Sequence, residues 1–167
     1  MVVVVDDENL NKGGLIMAAE AATTEAMAFM EKHGTGIVYV GMKREDLERL
    51  ETPLMVDITA GVSSEDRAAT AVALASRHLK PSDFKQPGHI LPLQYTEGGV
   101  LKRPECTEAS VDLARLAGLN PVGILSEIAI DDELGPTTRL SKLGQFANHH
   151  SLKIISIVDL IRSSFSR

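Results

Sequence analysis

Residues 2–5 are four consecutive valines, a β-branched, unbroken apolar run with the pattern of a strand buried on both faces. Three acids follow, and then NLNKGG (residues 9–14), which reads as a polar loop. Thr23 or Thr24 caps a helix running to about Lys32, with Ala26, Met27 and Met30 inward. HGTG (33–36) is turn chemistry, residues 37–40 a second buried strand, and 43–50 a short charged helix with Leu47 and Leu50 inward. Residues 53–61 have no clear periodicity. Ser63 or Ser64 caps the next helix, whose core face carries Ala68, Val72 and Ala75. A loop with prolines at 81 and 87 leads to a short strand over 90–93. Val100 and Leu101 form a short buried segment, and Thr107 caps a helix with Ala109, Leu113, Leu116 and Ala117 at helical spacing. Residues 122–130 alternate loosely, 131–138 form an acidic loop, 140–149 a helix, 153–156 a strand and 157–161 a last helical turn or two. Strands separated by helices throughout predict an α+β or α/β layered fold.

The 167 residues fit one domain, 1–167, and the net charge of −6 argues against a general nucleic-acid or acidic-membrane binder. A small anionic substrate held in a local basic pocket remains compatible with that charge. A single cysteine cannot form an internal disulfide, so packing must carry the fold, as in a reducing compartment. No run is long enough for a membrane span.

Candidate chemistry concentrates at GGVLKRPECTEAS (98–110). Gly98 and Gly99 permit a tight turn or close approach to a ligand. Arg103 stands just ahead of a helix N-terminus, where free N–H groups and the helix dipole favour an anion, and Cys106 adds a soft ligand. An ordinary capped helix behind a solvated basic pair fits the same residues. Asp6, Asp7 and Glu8, at the carboxyl end of a strand, form either a Mg²⁺ site or a solvated turn, with Asp6 and Glu8 sharing a face. His89 is either a general acid/base or a hydrogen-bonded structural histidine. Glu127 lies among Ile124, Leu125, Ile128 and Ala129. It is a carboxylate of raised pKa, a salt-bridge partner to a residue such as Arg103, or a surface position. His33, His78, His149 and His150 have no ligand spacing and read as surface residues.

Taken in order, VVVVDDE, HGTGIV, GVSSEDRA, KPSDF, PGHILPL, GGVLKR, TEASVDLARLAG and LSEI resemble the 3,4-dihydroxy-2-butanone 4-phosphate synthase family, above all the plant bifunctional riboflavin-synthesis proteins. The resemblance implies an α+β fold, a layered mixed sheet with flanking helices. It implies a lyase that converts ribulose 5-phosphate to 3,4-dihydroxy-2-butanone 4-phosphate plus formate with Mg²⁺ or Mn²⁺. A homodimer with active sites at the subunit interface and a chloroplast location follow from the same likeness, a cytoplasmic one otherwise. His89 and Glu127 match the family's catalytic positions, and Arg103 and Thr107 its substrate-binding positions.

Three departures bear on that expectation. NLNKGG replaces a D-R-E-N-E-G-D-type segment that supplies a substrate-binding arginine and aspartate and a metal-binding glutamate. RPECTE replaces R-x-G-H-T-E, so Cys106 occupies the position of the family's histidine ligand. A strand-bearing segment usual between the equivalents of residues 55–56 and 58–59 is missing, and no GTP cyclohydrolase II domain follows in these 167 residues. The expectation is a synthase-like domain of impaired or lost activity. The alternative is a non-catalytic dimerising or sugar-phosphate-binding module, paired with itself or with an active homologue.

Overall fold

The valine run lies inside the sheet, as its unbroken hydrophobicity requires. In the computed structural model, which describes residues 1–6, 12–51, 63–76, 78, 80–83, 89–128 and 136–165, strand β1 (Val2–Asp6) pairs antiparallel with β2 (Lys12–Ala18). On its other side β1 runs parallel to β6 (Lys153–Ser156). Beyond β2 come β5 (Gly123–Glu127), antiparallel to it, then β3 (Val38–Met42) and finally β4 (Ile90–Gln94), parallel to β3. The order is β4-β3-β5-β2-β1-β6, a mixed six-stranded sheet. Pro92 is accommodated in β4 because that strand is an edge, where a missing N–H need not break a ladder.

Side-chain alternation along the strands sorts the apolar residues into two cores. Val3, Val5, Leu15, Val40 and Ile124 face helices α1 (Thr24–His33), α2 (Arg44–Arg49), α3 (Ser64–Ala75) and α5 (Pro136–His149). Val4, Ile16 and Leu125 face α4 (Cys106–Leu116) and α6 (Ile157–Phe165). The layered α+β expectation is met. Thr23 and Ser63 cap α1 and α3 by accepting from the amides of Ala26 and Asp66.

Several local expectations change. Gly13 and Gly14 belong to β2, because the long-range ladder with β1 and β5 outweighs the poor strand propensity of glycine. Val72 is exposed, and Ala71 and Leu74 take the inner face of α3 with Ala68 and Ala75. Leu101 is exposed while Val100 is buried, since 99–101 form a single 3₁₀ turn rather than an extended segment. Thr107 is not the cap of α4. Glu105 stands at that position without a side-chain cap, and Thr107 lies buried inside the first turn. The loop expected at 53–61 and most of that at 131–138 lie outside the described residues.

Helix α4 sits unusually close to the sheet because two glycines lie beneath it. Gly41 of β3 and Gly123 of β5 are register partners. A Cβ on Gly123 would come 2.5 Å from the Cβ and backbone of Ser110, and one on Gly41 would come 2.7 Å from Ser110 Oγ. Gly123→Ala should therefore destabilise the fold by about 1–3 kcal/mol through overpacking. Urea unfolding will read this as a lower midpoint with an unchanged slope. A midpoint equal to the parent's would mean that α4 can lift without cost.

Candidate active site

Where α4 begins, its first turn lies over the adjoining ends of β1, β2 and β5. A cavity of about 320 Å³ opens there, lined by Asp6, Gly13, Gly14, Tyr39, Leu93, Arg103, Glu105, Cys106, Thr107, Leu125 and Glu127. Four residues singled out from the sequence therefore meet in one pocket: Arg103, Cys106, Thr107 and Glu127. Asp6 joins them, buried at the end of β1. Its companions Asp7 and Glu8 lie outside the described residues. His89 does not line the pocket; it is exposed at the start of β4. Glu127 is exposed too, because it ends β5 on the pocket side. The burial inferred from its apolar neighbours in sequence is not present.

Arg103 is fixed from below. Its Nη2 donates to Glu108 Oε1 at 2.8 Å and to the carbonyl of Gln94 at 3.2 Å, with Glu105 3.7 Å from Nε. The hydrogen bond to Glu108 raises the pKa of the guanidinium, outweighing the opposing effect of burial. Glu108 has no exposed surface and also accepts from the Thr96 amide at 2.9 Å.

One helical turn on, Asp112 is likewise buried. It accepts from the Val100 amide at 2.9 Å, from the Tyr95 hydroxyl at 3.0 Å and from Arg115 at 3.0 Å. Gly98 and Gly99 have φ of +100° and +60°, and a Cβ on Gly99 would collide with the Asp112 carboxylate. The glycine pair thus serves the turn and its seat on α4 rather than a ligand. Neither Glu108 nor Asp112 stands out in the sequence, where each reads as an ordinary acid of a helix. Their i, i+4 spacing on α4 was the available signal.

Cys106 occupies the first position of α4, partly buried, with Sγ 3.6 Å from the place a Cβ on Gly14 would take. The pocket's carboxylates and this thiol do not amount to a metal cage. Among the described residues no three His, Cys, Asp or Glu side chains are arranged to hold an ion. Mg²⁺ wants several oxygen ligands, and a thiol in the set suits a softer metal. The described residues therefore do not fit Mg²⁺, and no chemical step is derived through it.

His149 is exposed, as a surface residue should be, whereas His33 and His150 are half-buried in a ring cluster. His33 packs on Phe29 at 4.4 Å and on His150 at 4.7 Å between ring centroids, and His150 stacks with Phe146 at 4.6 Å. Burial, then the neighbouring His150, Lys32 and His149, lower the pKa of His33. The rings join α1 to α5 on the opposite face of the sheet from α4.

Together the fold and the pocket define an α+β small-molecule-binding domain with one anchored guanidinium and a rim of carboxylates. The chain belongs to the 3,4-dihydroxy-2-butanone 4-phosphate synthase family, whose model matches residues 1–163. It is 55% identical to the chloroplastic bifunctional riboflavin biosynthesis protein RIBA 1 of Arabidopsis thaliana and 57% identical to the chloroplastic monofunctional riboflavin biosynthesis protein RIBA 2 of the same plant. Each match covers 97% of this chain, but only 34% and 38% of those proteins. The chain thus spans about a third of the length of these relatives. The first alignment runs over 184 positions. Roughly twenty of them face no residue of this 167-residue chain, in keeping with the missing segment.

Among solved structures, a cation-free 3,4-dihydroxy-2-butanone 4-phosphate synthase superposes with a TM-score of 0.88 at 36% identity, covering 99% of this chain and 90% of that one. A 3,4-dihydroxy-2-butanone 4-phosphate synthase in complex with two magnesium ions gives 0.87 at 35% identity, covering 98% and 89%. Among the described residues no helix is long and apolar enough to cross a membrane.

Burial, followed by the charge and hydrogen bond of Asp112, pushes the Tyr95 phenol from 10.0 up to about 12. The folded chain thus holds this proton more tightly than the unfolded chain does. Its contribution to stability is complete below pH 10 and is lost as pH rises towards 12. Tyr95→Phe should remove this alkaline loss of stability and the late step in an ultraviolet titration of the phenols. An unchanged late step would place the high-pKa phenol elsewhere.

Proposed function

We propose that this pocket binds ribulose 5-phosphate and supports its conversion to 3,4-dihydroxy-2-butanone 4-phosphate and formate, with turnover weakened by the loss of a metal ligand at Cys106. One observation carries the reading. Arg103, anchored through Nη2, has no partner at Nη1 among the described residues, and it lines a pocket that also receives the first turn of α4. A phosphate there would meet a fixed positive charge beside the free N–H groups of a helix start, two features that favour anions independently. Thr107 lines the same wall. Glu127 lines the same pocket and is exposed there, as a group to take up a proton from the bound sugar.

His89 fits the reading only when a second copy is added. It is exposed and does not line its own chain's pocket, so the proposal gives it to the pocket of the partner in a homodimer. A thiol in place of an imidazole weakens the affinity for a hard ion, and that is the reason for expecting slow turnover rather than a different reaction. The plant relatives' chloroplast location is proposed for this chain as well.

Formate release from ribulose 5-phosphate in the presence of Mg²⁺ tests the reading. The parent should turn over slowly, and Cys106→His should raise the rate. Arg103→Ala should weaken sugar-phosphate binding roughly ten- to a hundredfold, the effect of losing hydrogen bonds to a charged group. Glu127→Gln should cut turnover by about a hundredfold or more while leaving binding intact. A parent chain that neither binds ribulose 5-phosphate nor releases formate would sink the proposal.

A further inference from the structure

We infer that Glu108 is a positioning residue for this site, acting through Arg103; the inference rests on the reading of the pocket as an anion site. Glu108 is fully buried, and burying a carboxylate is costly unless a positive charge answers it. The only cation paired with it among the described residues is Arg103, at 2.8 Å, and its second oxygen, Oε2, has no hydrogen-bond partner at all. Holding the Thr96 amide does not require a charge, since a neutral acceptor would serve. Asp112 already ties down the same turn through Val100 and Tyr95. What the charge of Glu108 adds is a grip on one end of the guanidinium.

That grip has a consequence for binding. Glu108 and the Gln94 carbonyl both take Nη2, and among the described residues Nη1 has no partner on a side chain that is 40% exposed at the pocket wall. An unrestrained arginine loses much side-chain freedom when it clamps a phosphate. Here the restraint exists before the ligand arrives, so little of that loss falls on binding. Glu108 touches no ligand in this arrangement and donates no proton. It sets where the positive charge stands.

The test compares the parent with Glu108→Gln, Glu108→Ala, Arg103→Ala and the Glu108→Ala/Arg103→Ala double variant. Binding of ribulose 5-phosphate is measured by calorimetry after thermal unfolding has confirmed that each variant folds. Glu108→Ala should weaken binding roughly three- to tenfold, the usual cost of immobilising one flexible side chain. Glu108→Gln, which keeps an acceptor, should recover part of the loss. In the Arg103→Ala background the Glu108→Ala change should add no further loss. A merely structural role would cost the same in both backgrounds, and that result overturns the inference.

A second measurement does not depend on any substrate. The rate at which phenylglyoxal modifies each arginine is read by peptide mass spectrometry. Glu108→Ala should speed modification of Arg103 several-fold and leave exposed Arg44 unchanged. An unaltered Arg103 rate overturns the inference even if ribulose 5-phosphate binds. A parent chain that binds no ribulose 5-phosphate overturns the reading of the pocket, while the Arg103 rate still decides the role of Glu108.

Discussion

The close seating of α4 on the sheet is the constraint from which the site follows. It is possible only because Gly41 and Gly123 leave a Cβ-free floor under Ser110 and Thr107. With the helix at that depth, Glu108 and Asp112 are carried below the surface, where carboxylates need partners. The segment 95–103 supplies them: two amides, a phenol and a guanidinium. Strand floor, helix depth, turn conformation and arginine position are therefore coupled. A larger residue at either glycine would lift the helix and loosen the arginine together.

This coupling would let an acidic chain present the local anion site proposed for it. The net charge of −6 gives no general attraction for an anion. Attraction must come from oriented charge at short range, where screening is weak and dielectric low. Arg103 supplies a full charge and the start of α4 supplies oriented N–H groups, both at one wall of the pocket. Glu108 lowers the net charge of the arrangement while fixing its geometry. Placement here counts for more than the sum of charges, as it does wherever a guanidinium must meet a phosphate edge on.

How far the sequence revealed this depends on the range over which each signal acts. The valine strand, the capped helices α1 and α3, and the strand at 153–156 were legible because their signals are local: β-branched residues and a threonine or serine cap. Strand β2 was not, because Gly13 and Gly14 acquire extended structure only by pairing with β1 and β5, more than a hundred residues away in the second case. Arg103, Cys106, Thr107 and Glu127 could be named, the first three from one short segment and the fourth from its odd apolar setting. That setting points to burial, but the strand ends at Glu127 and its side chain is exposed at the pocket. Glu108 passed unnoticed because helical acids are common and only tertiary contact makes one of them buried.

In the proposed site, Cys106 stands where the binding side would meet the chemical side. The anion side of the pocket depends on α4, the glycine floor and the Glu108–Arg103 pair, all of them held by buried contacts. The metal side would depend on oxygen and nitrogen ligands gathered around Cys106 and the end of β1, and among the described residues those ligands do not gather. The first set is tied to fold stability, so losing it would unseat α4. The packing that keeps α4 on the sheet would therefore also hold the proposed phosphate side in place.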